Sequence, residues 1–123
     1  MGDNLMSEIN VDTIKDAAGL REFFPCTAWV NFNGTGTVAI RDSGNVSSIT
    51  DNGTGNYTIN FVTAMDDGDY SVSGLCHYDG VSDGILGASQ AATLISSCGI
   101  TCSNSAGALG DKDYISAQIF GGS

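Results

Sequence analysis

The chain has 123 residues, 41% of them hydrophobic and 15% charged, with 17 glycines, one proline and four cysteines. That length holds one hydrophobic core and not two. A net charge of −10, from 14 acids against Lys15, Arg21, Arg41 and Lys112, repels a phosphate backbone and argues against nucleic acid as a partner. No apolar stretch reaches the length of a bilayer span, and the first residues carry no secretory signal. The expectation is therefore a protein made in a cytoplasm, without membrane insertion, whose cysteines stay reduced and packed.

Residues 1–25 differ in composition from the rest. They hold Glu8, Lys15, Arg21 and Glu22, few glycines, and the apolar positions Ile9, Val11, Ile14, Leu20, Phe23 and Phe24. Ile9 and Val11 alternate as in a strand, while residues 13–18 suit a short turn of helix that Gly19 would end. Too few apolar residues are present for a separate core, so those six side chains are expected to anchor an extended, partly helical segment on another surface. Pro25 marks the boundary with a second unit, residues 26–123.

Beyond Pro25 the apolar period becomes two. Val30 and Phe32 alternate with Asn31 and Asn33, the turn residues Asn33-Gly34-Thr35-Gly36 follow, and Val38 and Ile40 resume the pattern, which predicts a hairpin. Residues 46–61 give the clearest one, with Asp51-Asn52-Gly53-Thr54-Gly55 between alternating strands and Tyr57, Ile59 and Phe61 on one face. After the acidic turn Asp66-Asp67-Gly68-Asp69, the residues Tyr70, Val72, Gly74 and Cys76 alternate with polar neighbours as another strand. Between 77 and 90 the pattern dissolves into Gly, Asp and Ser; residues 93–97 then read as a strand, 103–113 as a second loop and 114–120 as the closing strand. The sum is about seven or eight short antiparallel strands, an all-β sandwich or jelly-roll-like module.

At this point the sequence resembles the distal domain of bacteriophage tail-fibre-like virion proteins of the marine type. The resemblance is carried by Ala28-Trp29-Val30-Asn31-Phe32-Asn33-Gly34-Thr35-Gly36-Thr37-Val38-Ala39-Ile40-Arg41 and by residues 45–61. The segment 9–19 and the closing strand 114–121 are similar to the ends of the same proteins. The resemblance implies a virion surface appendage, generally a homotrimer, that is mounted through residues 1–25 on another virion protein. It further implies loops turned toward a glycan or protein of the host surface. The loop residues expected to make that contact are Tyr78, Asp79, Asp83, Asp111, Lys112 and Asp113. A capsid or tail decoration protein with a purely structural role is the alternative.

Chemistry-bearing constellations are sparse. The acids at 66–69 and the pair Asp79 and Asp83 lack the spacing of a calcium loop. Cys98 and Cys102 on one strand would face the same way but stand about 13 Å apart, too far for a shared ion or a disulfide. Cys76 and His77 are adjacent and point to opposite faces, which disfavours a nucleophile and base pair. No catalytic residue, metal or cofactor is therefore expected, and the chain is not expected to be an enzyme. Trp29, the single tryptophan, reads as a core or subunit-interface anchor. Asn33, Asn45, Asn52 and Asn56 match the glycosylation pattern but are expected to serve as turn and strand asparagines.

Overall fold

A computed structural model describes residues 10, 12–78 and 84–122 of the chain, with the side chains of 89–92 excepted. Eight strands form two four-stranded antiparallel sheets that face each other as a sandwich. The first sheet contains β1 (Cys26–Asn33), β2 (Ala39–Gly44), β5 (Ser71–His77) and β8 (Tyr114–Phe120) in the order β2-β1-β8-β5. The second contains β3 (Val46–Gly53), β4 (Asn56–Phe61), β6 (Ile85–Thr93) and β7 (Ser97–Ser103) in the order β3-β4-β7-β6. The all-β sandwich expected from the two-residue period is the fold observed.

Alternation decides which side chains meet between the sheets. From the first sheet Ala28, Val30, Phe32, Cys76, Ile115, Ala117 and Ile119 point inward, and from the second Val46, Tyr57, Ile59, Phe61, Cys98, Ile100 and Cys102. Phe32 meets Tyr57 across the gap, edge to face, with ring centroids 5.3 Å apart, and Phe61 meets Tyr70 in the same way at 5.9 Å. Each such side chain contributes about 1.5–3 kcal/mol by leaving water. The paired aromatic geometry adds about 0.5–1.5 kcal/mol each.

Two expectations are corrected here. Residues 85–90, within the segment 77–90 where no pattern was legible, belong to β6, and the middle of the strand expected at 93–97 is instead the tight connection 94–96 from β6 to β7, closed by the bond from Leu94 N to the Ser97 carbonyl at 2.9 Å. The reason is that β6 is an edge strand with a register irregularity between Ala88 and Thr93, so its side chains need not alternate. Residues 13–24 make no helical turn. The backbones of Lys15 and Glu22 pair antiparallel, Phe23 N donates to the Ile14 carbonyl at 2.7 Å and Gly19 N to the Asp16 carbonyl at 2.9 Å, a small β-hairpin. The Asp16 carboxylate accepts from Leu20 N, and this turn chemistry outcompetes the short helical turn expected over residues 13–18.

Asn45 carries the chain from one sheet to the other in a single residue, at a left-handed φ of 57°. Its amide donates to the carbonyls of Thr27 and Thr63, at 3.0 and 3.1 Å, and its oxygen accepts from Thr63 N at 2.7 Å. Asparagine is the side chain that tolerates this backbone and supplies both donor and acceptor. Asn45→Ala is expected to cost about 2 kcal/mol, through three lost bonds and backbone strain. Asn45→Gly, which keeps the backbone freedom, is expected to cost less; urea unfolding monitored by circular dichroism reads both.

Candidate functional site

Antiparallel connection sorts the loops into two groups. At one end lie the β1–β2 turn, the β3–β4 turn, the end of β5, the start of β6 and residues 104–113. At the other lie Asn45, residues 62–70, residues 94–96, and the entry to β1 and exit from β8. Bonds within each group confirm the sorting. Gly34 N donates to the Lys112 carbonyl at 2.8 Å and Cys102 N to the Gly55 carbonyl at 2.8 Å at the first end. Met65 N reaches the Ile95 carbonyl at 2.8 Å, and Asp66 N the Gly122 carbonyl, at the second.

The first end is held by one buried hydroxyl and one carboxylate. Tyr57 Oη shares its proton between the Gly34 carbonyl at 2.8 Å and Asp111 Oδ1 at 2.9 Å, and the same Oδ1 accepts from Gly55 N at 2.9 Å. Gly55 sits at φ 64°, and a Cβ there would meet the Cys102 carbonyl at 2.6 Å, so only glycine lets the β3–β4 turn approach this closely. Three connections therefore converge on a single tyrosine.

This geometry changes the reading of the predicted contact residues. Tyr78 is exposed as expected. Asp79 and Asp83 lie outside the described residues. Asp111 is exposed while its Oδ1 serves the latch, whereas Lys112 is only 7% exposed and so is not displayed as a loop contact. Asp113 is half-buried, and its carbonyl accepts from Arg41 Nη2 at 2.6 Å. The outward part of this loop is 104–109: Asn104 Oδ1 accepts from Ala106 N and Ala108 N, both at 3.0 Å, and presents Leu109 to solvent. An Asn-initiated turn was the sequence signal for it.

Trp29 is not a core residue. It lies on the outer face of the first sheet, 38% exposed, because Ala28 and Val30 take the inward positions. On the same face His77 stacks on Tyr114 with centroids 4.6 Å apart, and the Arg41 guanidinium lies 5.4 Å from the Tyr114 ring centroid. Cys76 and His77 do face opposite ways, the thiol into the core and the imidazole outward. Of the anchor residues, Ile14, Leu20, Phe23 and Phe24 are all exposed on the hairpin, whereas Ile9 and Val11 lie outside the described residues. At the end where β1 begins, Val62, Leu94 and Ile95 are exposed as well.

Cys98 and Cys102 both point into the core from β7, and all four cysteines are free, Cys26 being the exposed one. Among the described residues no group of three or more His, Cys, Asp or Glu side chains is placed to hold a metal ion, and no helix is long and apolar enough to cross a membrane. The acidic turn is a solvated bend in which Asp69 N donates to Asp67 Oδ1 at 2.9 Å. Comparison of the chain with protein-family models, with curated proteins and with solved structures gave no match.

Burial pushes the Tyr57 phenol well above its ordinary value, reinforced by the Asp111 carboxylate, and burial with the adjacent Cys98 does the same to Tyr70. Burial raises the Cys98 thiol, and raises Cys102 together with the neighbouring Cys76. Each of these groups holds its proton more tightly folded than unfolded. Their contribution is thus complete below the ordinary thiol value of 9.0 and is lost as pH rises past it, and past 10.0 for the tyrosines. Unfolding midpoints in urea are expected to be level up to about pH 9 and to fall above it. Tyr57→Phe should flatten part of that fall and cost about 1–2 kcal/mol at neutral pH, by leaving Gly34 and Asp111 short of a donor.

Proposed function

We propose that the chain is a non-catalytic surface appendage of a bacteriophage particle, a short fibre or spike that self-assembles as a trimer and turns its latched loop end toward the host cell. The observation that carries this reading is the division of the sandwich into two unlike ends. Loops tied down by Tyr57 and Asp111 gather at one, so residues 104–109 stand on a braced support suited to contact. The chain enters and leaves at the other, beside exposed Val62, Leu94 and Ile95 and next in sequence to a hairpin bearing Leu20, Phe23 and Phe24. Exposed apolar groups concentrated in this way mark surfaces that are covered in an assembly.

Self-association suits the open edges as well. Strands β2, β5, β3 and β6 each end a sheet, and a closed cyclic arrangement shields such edges where an isolated copy leaves them exposed. Trimerisation also multiplies weak individual contacts through effective concentration. The sequence resemblance to tail-fibre tips points the same way and supplies the class of particle.

Multi-angle light scattering is expected to give a trimer, and Leu20→Ser combined with Phe24→Ser to give a monomer with an unchanged circular dichroism spectrum. A monomeric parent chain at micromolar concentration would sink the trimer. Antibody labelling of the particles that carry the protein places it on tail or capsid, and failure to label any particle would sink the appendage reading.

A further inference from the structure

We infer that the outer face of the first sheet is a binding site for a neutral saccharide, centred on Trp29 and distinct from the loop end. It stands on its own observations and holds or fails independently of how the module is mounted.

Strand register sets out the face in rows. Trp29 of β1 lies between Gly44 of β2 and Gln118 of β8; in the next row outward-facing Asn31 lies between Asp42 and Ser116, and Ser116 is paired to Leu75 of β5. Neighbouring strands stand about 4.8 Å apart, and successive outward residues about 7 Å apart along a strand. The face therefore presents an indole, an amide pair, a carboxylate and a hydroxyl within the footprint of a few sugar rings.

Gly44 fixes the pose of the indole. A Cβ on Gly44 would collide with Trp29 Nε1 and come within 2.8 Å of Cδ1, so the ring rests on the bare backbone of β2. One side of the indole is thus spent on the sheet, and the residue keeps 38% of its surface in water. An aromatic held in this way is already ordered and offers its open side at little further entropic cost.

The polar neighbours are partly committed, which orients them. Asn31 Oδ1 accepts from Arg41 Nη1 at 3.2 Å, so its NH₂ group is directed away from the guanidinium. Gln118 Nε2 donates to Ser116 Oγ at 2.9 Å, which fixes its amide with Oε1 as a remaining acceptor. Asp42 Oδ1 accepts from Ser43 N at 2.9 Å, and its second oxygen has no partner among the described residues. Donor and acceptor stand side by side at Asn31 and Asp42, and a sugar hydroxyl both donates and accepts, so a single hydroxyl satisfies the two together.

Other occupants fit less well. A protein interface of standard size needs an apolar centre, and here the exposed large apolar groups on the face are three, Trp29, Leu75 and Phe120, set among the polar Asn31, Asp42, Ser116 and Gln118. A net charge of −10 opposes nucleic acid and acidic polysaccharide alike. A neutral sugar brings one apolar ring face for the indole and hydroxyls for the amides, without charge.

Because the chain has one tryptophan, its emission reports the site directly. The intact protein is titrated with neutral hexasaccharides of glucose, mannose, galactose and N-acetylglucosamine, with oligogalacturonate as the acidic contrast. At least one neutral series is expected to shift the emission saturably at millimolar concentration or below. Asn31→Ala and Gln118→Ala are each expected to weaken that binding about tenfold while leaving the thermal unfolding midpoint in place. Saturation-transfer NMR with Trp29→Ala is expected to show the signal lost. The assignment is overturned if no neutral saccharide perturbs Trp29, if binding survives Asn31→Ala with Gln118→Ala, or if oligogalacturonate binds more tightly than every neutral sugar.

Discussion

The hydroxyl of Tyr57 joins parts of the chain that backbone ladders cannot join. Its ring packs against Phe32 of the opposite sheet, and its oxygen reaches the β1–β2 turn and Asp111 at the loop end. In a sandwich the hydrogen bonds run within each sheet, so the relation between the sheets rests on side-chain packing and on whatever polar groups cross at the ends. Tyr57 does both. Tyr70 repeats the arrangement at the far end, with its ring against Phe61 and its hydroxyl on the carbonyls of Leu94 and Ser97 at 2.8 and 3.0 Å. Two amphipathic aromatics thus fill the core and tie opposite ends, because a buried phenol brings a large apolar body and one group that must find a partner.

The two outer faces have unlike chemistry. That of the second sheet is a ladder of hydroxyls and amides, in which Asn60 donates to Ser48 and Thr50 at 3.0 and 2.9 Å and Asn52 to Thr58 at 2.7 Å. Those groups are mutually satisfied and leave little to recognise. On the first sheet the aromatic, cationic and amide groups are brought together by the row of β8 between β1 and β5, with Tyr114 held between Arg41 and His77. The difference follows from strand order, since β8 carries outward Tyr114, Ser116 and Gln118 into the middle of that sheet.

Much of this fold was legible where alternation was clean. β1, β4 and β8 show strict inward and outward turns at Val30, Phe32, Tyr57, Ile59, Ile115 and Ile119, and these are three of the four central strands, buried on one face only. β6 was not legible because an edge strand with a bulge has no need of a strict period. The hairpin at 13–24 was misread for a related reason: the Asp16 side chain caps a tight turn locally, and such short-range bonds override the weak helical preference of two alanines. The candidate contact residues fared unevenly since a polar loop residue looks the same in sequence whether its side chain is displayed or spent on a latch. Asp111 puts one carboxylate oxygen on the latch and Lys112 is buried, and nothing in their spacing distinguishes them from Tyr78. The core alternative for Trp29 failed differently, because the face it occupies is decided by the parity of β1, and parity was readable from Ala28 and Val30 while size alone suggested the core.

Stiffness at the loop end follows from how few residues are available to produce it. The chain has one proline, and its 17 glycines raise the entropy lost on ordering a turn, so unassisted loops of this composition would be mobile. Side chains supply the missing restraint: Asp111 holds Gly55, Asn104 closes its own turn onto Ala106 and Ala108, and Asn33 Oδ1 accepts from Thr35 N and Oγ1 at 2.9 and 2.7 Å. Glycine allows the backbones to approach, and short polar side chains then fix the approach. The residues between those fixed points, 105–109 among them, carry no structural bond of their own side chains, so a surface can differ there without disturbing the core beneath it. A module whose restraints lie under its loops and not within them can change what it touches while the sandwich stays the same.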